Sequence, residues 1–462
     1  MVSLDDTIAA ISTSIGEGGI GIVRMSGPQA LAIVRHLFSP GALPRPDDGC
    51  DFEPYHLHYG HITDPTTGEV VDEVLVVHMP SPRTYTRQDV VEVDAHGGTV
   101  AVRRILALCL EQGARLAQPG EFTLRAFLNG RIDLAQAEAV LDVVQAKTDR
   151  ALQTAVGQLT GHLSERVRSV RALLLDILAH VEASLDLMAD ELPERDIAAD
   201  LRQAVVQLQD LLASANRGII YRQGVRVAIV GRPNVGKSSL LNCLLRTSRA
   251  IVTEIPGTTR DTLEETVNLE GVPVVLVDTA GIAAMTDNPI ERLGIERSRR
   301  ALDQADLALL VLDASEPLTD ADLAIAGLIG CKPAIVVLNK TDLVQPGEDR
   351  EPGPVLTAPA VSISALTGLG IDVLERAVLE VVLSGQVAAS DLPAVSNPRH
   401  KERLSRALEH VDAALAAARS GLTSDLVAID LAAAVHALGQ VTGQTTSDDL
   451  LENIFGSFCI GK

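Results

Sequence analysis

The run VRVAIVGRPNVGKSSLLNCLL, residues 225–245, limits what this chain can be more than any other stretch. An apolar run rich in Val and Ile is followed at once by G-x-x-x-x-G-K-S and then by an apolar pattern of helical spacing. The segment therefore reads as strand, phosphate-cradling loop and helix. Gly231 and Gly236 let successive backbone N–H groups curl around phosphate oxygens, Lys237 sets positive charge against the β and γ phosphates, and Ser238 offers a hydroxyl to magnesium. Asn234, Val235 and Ser239 complete the loop. Three further runs, VPVVLVD at 272–278, LALLVLD at 307–313 and AIVVLN at 334–339, end in polar loops as buried parallel strands do. Residues 219–384 are thus expected to form a doubly wound α/β domain.

The loops after those strands carry an ordered set of companions. PGTTRD supplies Thr259, a candidate magnesium hydroxyl. DTAG places Asp278, Thr279, Ala280 and Gly281 where the carboxylate reaches magnesium through water and the Gly281 amide meets the γ-phosphate. NKTD, residues 339–342, closes AIVVLN; the Asp342 carboxylate can accept from guanine N1 and N2, a donor pair that adenine lacks. Asn339, Lys340 and Thr341 belong to the same loop. In SAL, Ser364, Ala365 and Leu366 stand where a backbone amide can read the guanine oxygen. The residue after DTAG is Ile282, where Ras-like enzymes hold the glutamine that orients water, so hydrolysis must be organised otherwise. Asn234 is either a loop-shaping residue or an amide ligand for a monovalent cation that supplies charge in place of an arginine finger.

The flanks have other textures. Residues 1–126 mix short alternating runs, such as VDEVLVVHM and DVVEVDAHGG, with Gly/Pro turns, the pattern of an α/β domain. Residues 127–218 are helical: Leu163, Val167, Val170, Leu174, Ile177 and Val181 step by four and three along one face, and Leu201, Val205, Leu208 and Leu212 repeat the spacing. Residues 385–462 return to it through Leu404, Leu408, Val411 and Leu415. That tail is short for a domain of its own, which implies a discontinuous helical domain with the nucleotide domain inserted in it.

Composition sets outer limits. A chain of 462 residues has length for several cores. Its formal charge of -22, with 61 acids against 39 bases, repels polyanions globally, so nucleic acid must be met by local basic patches or by a basic partner. NPRHKER, 397–403, is the one compact basic patch after the nucleotide domain, read as a solvated helix start or as a nucleic-acid contact. The chain has no Trp, so base-stacking platforms are disfavoured. Five scattered cysteines form no C-x-x-C, no uninterrupted apolar run suits a membrane span, and MVSLDDTIAA carries no basic-then-apolar leader; a cytoplasmic protein without membrane contact is expected. GEGGIGIVR, 16–24, matches G-x-G-x-x-G, yet IVRMSG continues as strand and turn and no acid follows at the required distance. It reads as a close-approach glycine loop rather than a dinucleotide fingerprint.

Over its whole length the chain resembles the MnmE (TrmE) family of tRNA-modifying GTPases. The likeness is carried by PGEFTLRAFLNGRIDLAQAEAV, GRPNVGKSSLLN, VTEIPGTTRD, DTAGI with ERLGIERS, NKTD and the ending TSDDLLENIFGSFCIGK. It implies an N-terminal folate-binding and dimerisation domain (1–126), a helical domain in two parts (127–218 and 385–462) and an inserted G domain (219–384). It implies potassium-activated pairing of G domains in a homodimer, the cation held by Asn234 and by Thr253, Ile255 and Thr258 of a loop that also includes Glu254, Pro256 and Gly257. It implies that Glu291 orients catalytic water beside the phosphate-neutralising Lys237. The family's product is an aminomethyl or carboxymethylaminomethyl group on C5 of the tRNA wobble uridine. Its one-carbon donor is a reduced folate, 5-formyl- or methylene-tetrahydrofolate, and it works as a heterotetramer with the FAD-binding MnmG (GidA) subunit, the FAD residing in that partner alone. Similarity places folate contacts at Arg24, Glu92, Arg131 and Lys462. Arg131 stands where relatives often carry lysine, and a cation of different hydrogen-bond geometry results. Cys459 becomes a candidate nucleophile or proton donor near the one-carbon group.

A second reading is a binding switch like the ribosome-assembly GTPases, which share NVGKSS and NK-x-D. Such a protein should carry a basic RNA-binding appendage with a GXXG loop, and the acidic residues after the nucleotide domain include none.

Overall fold

The computed structural model describes residues 4–14, 16–41, 51–186, 195–247, 264–278, 302–344, 357–383, 392–420 and 422–461. In chain order the first elements are β1 (Ile8–Ile11), β2 (Gly18–Ser26), α1 (Ala30–Leu37), β3 (Phe38–Pro40), β4 (Leu57–Thr63), β5 (Val70–Met79), β6 (Val90–Gly97), α2 (Thr99–Glu111), β7 (Arg115–Leu116) and α3 (Glu121–Leu128). Helices α4 (Leu134–Gln145), α5 (Asp149–Leu159), α6 (His162–Asp186), α7 (Ile197–Ala213) and α8 (Ala215–Gln223) follow. Next come β8 (Val225–Val230), α9 (Lys237–Thr247), β9 (Glu264–Leu269), β10 (Val272–Asp278), β11 (Leu307–Asp313), α10 (Asp320–Ile329), β12 (Ala334–Asn339), β13 (Ala360–Ser362) and α11 (Ile371–Val382). The chain ends in α12 (Pro398–Arg419), α13 (Ser424–Thr442) and α14 (Asp448–Gly456).

Two compact units result. The first comprises Met1–Leu141, Gln158–Leu201 and His410–Lys462, the second Asp142–Gly157 and Arg202–Glu409. Both chain termini belong to the first unit, whose sheet runs β3-β4-β5-β6-β2-β1-β7. Its pairs are antiparallel except β1 with β7. On β6, Val91, Val93 and Ala95 pack beneath α1 and α2 with Ile33, Val34, Ile105 and Leu108, while Glu92, Asp94 and His96 alternate onto the other face. That is the one-sided burial that an antiparallel sheet allows. Within this unit the expected stripe of α6 holds at every position: Leu163, Val167, Val170, Leu174, Ile177 and Val181 are all buried.

The stripe of α7 is partly different. Leu201, Ala204, Leu208 and Leu211 are its buried positions, so small Ala204 takes the inward place assigned to Val205, and Leu211 that of Leu212. Helix α13 is long and apolar enough to cross a membrane by length and composition, but half of its apolar window is buried, and it packs on α6 within the first unit. It is a core helix, as its buried Leu431, Ala434, Leu438 and Val441 require.

The second unit holds the expected doubly wound sheet, ordered β13-β12-β11-β8-β10-β9. Its pairs are parallel, except that β9 adds antiparallel to the edge of β10. Every residue of β11 is buried, because helices cover both faces. Val227, Ile229, Leu309 and Val337 pack towards α9 and α11, and Ala228, Val230, Leu310 and Val336 towards α10. Strand order reverses at β8, so the loop that follows it opens at the switch point where ligands of this fold bind.

Candidate functional site

The phosphate loop leaves β8 at Gly231 and enters α9 at Lys237. Asn234 sits at φ 64° with an exposed side chain, the left-handed conformation that asparagine tolerates. Gly236 lies at φ 97°, and a β-carbon there would overlap the Asn339 amide nitrogen. Glycine at this position is therefore required twice, by torsion and by space. Lys237 Nζ donates to the carbonyls of Gly231 (2.9 Å) and Arg232 (2.7 Å), which holds the ammonium over the loop, and Ser238 and Ser239 are exposed at the start of α9.

Asn339 ties the site together. It ends β12 and is 2% exposed. Its Nδ2 donates to the Val235 carbonyl at 2.8 Å, and its Oδ1 accepts from the Ala365 amide at 2.9 Å. One side chain thus fixes the phosphate loop and the SAL loop to the same strand end. The Ala365 amide, one of those placed to read the guanine oxygen, is directed at Asn339 in this arrangement. Beside it the buried Ser364 hydroxyl donates to Asp342 Oδ1 at 2.6 Å and orients the exposed carboxylate.

Lys340, at φ 67°, pairs with Asp313 Oδ2 at 2.6 Å. Burial pushes the Asp313 carboxyl up, but hydrogen bonds from Lys340 and Ser315 outweigh it and hold the group below the usual carboxylate range. Asp313 is a site residue that sequence reading missed. Its signal was available, since it ends LALLVLD, and the parallel register sets it opposite Asn339. Asp278 closes β10. Thr253, Glu254, Ile255, Pro256, Gly257, Thr258, Thr259, Thr279, Ala280, Gly281, Glu291 and Lys462 lie outside the described residues.

A second constellation forms in the first unit. Arg24 on β2 and Glu92 on β6 are direct cross-strand partners, their side chains paired at 2.5 Å. Arg24 Nη1 also donates to the Gly461 carbonyl (3.4 Å), as does the Ser12 hydroxyl (3.3 Å), so the C-terminal tail is seated on the strand that carries Arg24. The Gly120 amide donates to the Cys459 carbonyl at 3.3 Å, and Cys459 itself is exposed. Arg24 lies over the Phe122 ring at 5.8 Å and Arg131 over the Tyr85 ring at 4.7 Å; Tyr85 packs against the cluster containing Phe122. Asp94, two residues beyond Glu92 on the same sheet face, has a buried Oδ1 with no hydrogen-bond partner. Burial, reinforced by the neighbouring Glu92 charge, raises its pKa.

Beneath lies a charged network. Arg125 is fully buried and donates to Asp6 Oδ1 (2.5 Å), Glu121 Oε1 (3.0 Å) and Gln88 Oε1 (3.0 Å), while Arg115 shares Glu121 and Asp6. The glycines of GEGGIGIVR give a strand in which Gly21 abuts Val102 of α2, so close approach is confirmed there, whereas Gly16 faces open space. NPRHKER is not a solvated helix start: His400 is fully buried, Arg399 and Arg403 are half-buried, and Lys401 donates to Asn216 at 2.6 Å. Among the described residues no group of three or more His, Cys, Asp or Glu side chains is gathered as for a metal ion.

A doubly wound sheet with a phosphate loop at its switch point and NKTD locked against that loop defines a guanine-nucleotide-binding protein of the P-loop GTPase class. Comparison with known proteins sharpens this. The model of the MnmE helical domain matches residues 134–459, and that of the GTP-binding protein TrmE N-terminus matches residues 7–131. The tRNA modification GTPase MnmE of Roseiflexus sp. is 51% identical, with 99% of each chain covered. That of Alkaliphilus metalliredigens is 48% identical over 99% of this chain and 100% of its own, and that of Geobacillus kaustophilus 49% identical over 99% of each. The chain belongs to the MnmE family, with a TrmE N-terminal domain, an MnmE helical domain and a G domain.

Proposed function

We propose that this chain hydrolyses GTP to GDP and, in concert with an FAD-dependent partner, uses the cycle to install a carboxymethylaminomethyl or aminomethyl group on C5 of a tRNA wobble uridine. The relatives' name, tRNA modification GTPase, supports the substrate and the reaction class. The nucleotide half of the reading is carried by one observation, the Asn339 bridge between Val235 and Ala365, which organises phosphate loop and base loop as a unit. Lys237 neutralises the phosphates, Ser238 offers its hydroxyl to magnesium, and Asp342 selects guanine through its donor pair.

Ile282 stands in the place of the water-orienting glutamine. We assign that task to Glu291 and the compensating charge to a potassium ion held by Asn234, Thr253, Ile255 and Thr258 in a G-domain pair. The exposed, left-handed Asn234 fits such a ligand, since its carboxamide is free of the P-loop core. An ion held by these residues would supply the positive charge that an arginine finger otherwise brings to the developing negative charge of the phosphates. Magnesium falls to Ser238 and Thr259.

For the one-carbon donor we propose a reduced folate on the Arg24–Glu92 face. The donor set fits: Glu92 offers carboxylate acceptors for the amide and amino donors of a pterin, and Arg24, Arg131 and Lys462 offer cations for carboxylates. The orphaned Asp94 oxygen beside Glu92 marks an acceptor left without a protein donor. When bound, the folate supplies the one-carbon unit; the chain's residues bind and orient it, and Cys459 lies on the tail that reaches this face. The chain is proposed to act as a homodimer joined to an MnmG-type flavoprotein, in the cytoplasm. Two experiments test the reading. GTP turnover should be strongly activated by potassium over sodium, and equal rates would refute the cation mechanism. Reduced folate should bind the wild type and not Arg24→Ala or Glu92→Gln; failure of the wild type to bind would remove the folate.

A further inference from the structure

The hairpin β9–β10 is paired along its whole length, from Leu269 opposite Val272 to Glu264 opposite Val277. Six paired residues at about 3.4 Å each make a stiff lever of roughly 20 Å. Its open end is continuous with the nucleotide motifs, since PGTTRD precedes Glu264 and DTAG begins at Asp278. Its closed end is the two-residue turn Glu270–Gly271, at φ 48° and 96°, the primed geometry of a tight hairpin. The Gly271 amide donates to Asn268 Oδ1 at 2.8 Å and stiffens the turn.

That turn is gripped by the start of α5, which lies in the same compact unit. Thr148, 6% exposed, donates its hydroxyl to the Gly271 carbonyl at 2.8 Å, and the same oxygen accepts from the Ala151 amide at 3.2 Å as the cap of α5. One hydroxyl therefore links the hairpin tip to the helix end. The Arg150 stem covers the turn so closely that a β-carbon at Gly271 would stand 2.6 Å from its Cγ. Its guanidinium continues over the ring of Tyr221, a member of the nucleotide-domain core, at 5.8 Å. Nearby, Arg222 of α8 pairs with the buried Asp142 of α4 at 2.7 Å. None of these contacts involves a residue placed in the nucleotide site.

We propose that the Glu270–Gly271 turn, held by Thr148 and Arg150, is the connection through which the nucleotide state of the G site sets the position of helix α5. The two nucleotide-sensing segments are joined by a single rigid hairpin, and the hairpin ends on this helix. Because β10 is also bonded to β8 from Val274 to Asp278, a displacement at the open end reaches the grip as a shift of this side of the sheet. The inference rests on the reading that this chain cycles between GTP and GDP.

The test uses the full chain. Amide hydrogen exchange across residues 149–159 is compared with GDP and with a non-hydrolysable GTP analogue in potassium buffer, for wild type, Thr148→Val, Thr148→Ser and Arg150→Ala. In the wild type the exchange rate should differ between the two nucleotides by about threefold or more. Thr148→Val and Arg150→Ala should lose the difference while GTP turnover stays within about twofold, and Thr148→Ser, which keeps the hydroxyl, should retain it. A wild-type α5 that ignores nucleotide, or a Thr148→Val protein that responds as fully as wild type, would overturn the inference. Absence of GTP turnover in the wild type would overturn the functional reading beneath it, so the two failures are distinguishable.

Discussion

Replacing Asn339 is the sharpest perturbation of the nucleotide site, because its two hydrogen bonds hold two loops and neither partner has a local substitute. In Asn339→Ala the Val235 carbonyl and the Ala365 amide lose partners at 2.8 and 2.9 Å in a spot where Asn339 is 2% exposed and Val235 fully buried. A buried polar group left unsatisfied costs about 1–3 kcal/mol. Ala365 is half-buried and regains some hydration, so the two together are worth about 2–4 kcal/mol. If that cost falls on the binding-competent loop, GDP affinity drops roughly 30-fold to 1,000-fold, at 1.4 kcal/mol per tenfold. Asn339→Asp separates geometry from bulk: it is nearly isosteric, keeps an acceptor for Ala365, and turns a second acceptor on the Val235 carbonyl. It should weaken binding at least as much as alanine. Titration with a fluorescent GDP analogue reads both variants, and affinities within about threefold of wild type would refute the reasoning.

Three other outcomes are expected. Asp342→Asn reverses acceptor to donor opposite the base, so GTP affinity should fall and xanthosine triphosphate, which carries a carbonyl where guanine has its amino group, should gain about tenfold or more in competition binding. Arg125→Met leaves Glu121, itself 1% exposed, with Arg115 as its remaining guanidinium in the Arg115–Arg125 network. Breaking one side of a buried pair costs about 3 kcal/mol or more, so urea unfolding followed by a probe on the N-terminal sheet should shift to lower denaturant. His78 is buried with neither ring nitrogen hydrogen-bonded, and burial depresses its pKa against a smaller opposing pull from Asp89, with Arg35 adding to the depression. The folded state then binds fewer protons than the unfolded, whose histidine titrates near about 6.5. Stability present above that pH should fade below it, and His78→Leu should lose less stability than wild type between pH of roughly 7.5 and 5.5; an equal loss would exclude His78 as a contributor.

The nucleotide domain was legible because strand, loop and helix are written in one contiguous run, and DTAG and NKTD each sit at the end of an apolar strand. The α6 stripe was legible for the same local reason. The α7 stripe drifted where Ala204 rather than Val205 faces inward, since periodicity alone does not distinguish a small inward residue from a larger one beside it. NPRHKER read as a surface patch because charge normally is solvated, yet packing at the start of α12 buries His400 and half-buries its neighbours. Contacts between elements far apart in sequence carry no local signal. The seating of Gly461 on Arg24 and the Arg125 network follow from topology, and only the resemblance to a family named Arg24 and Glu92 beforehand.

In this protein GTP hydrolysis is proposed to be coupled to transfer of a one-carbon unit onto tRNA. The coupling is tested most directly by incubating the purified chain with an MnmG-type flavoprotein and its NADH reductant, GTP, potassium, glycine or ammonium as the amine donor, unmodified tRNA and a reduced folate isotopically labelled in its one-carbon unit, followed by mass spectrometry of the wobble nucleoside. A C5-substituted uridine that carries the label should form, and only when GTP can be hydrolysed. An unlabelled product, or labelled product formed equally with a non-hydrolysable analogue, would contradict it.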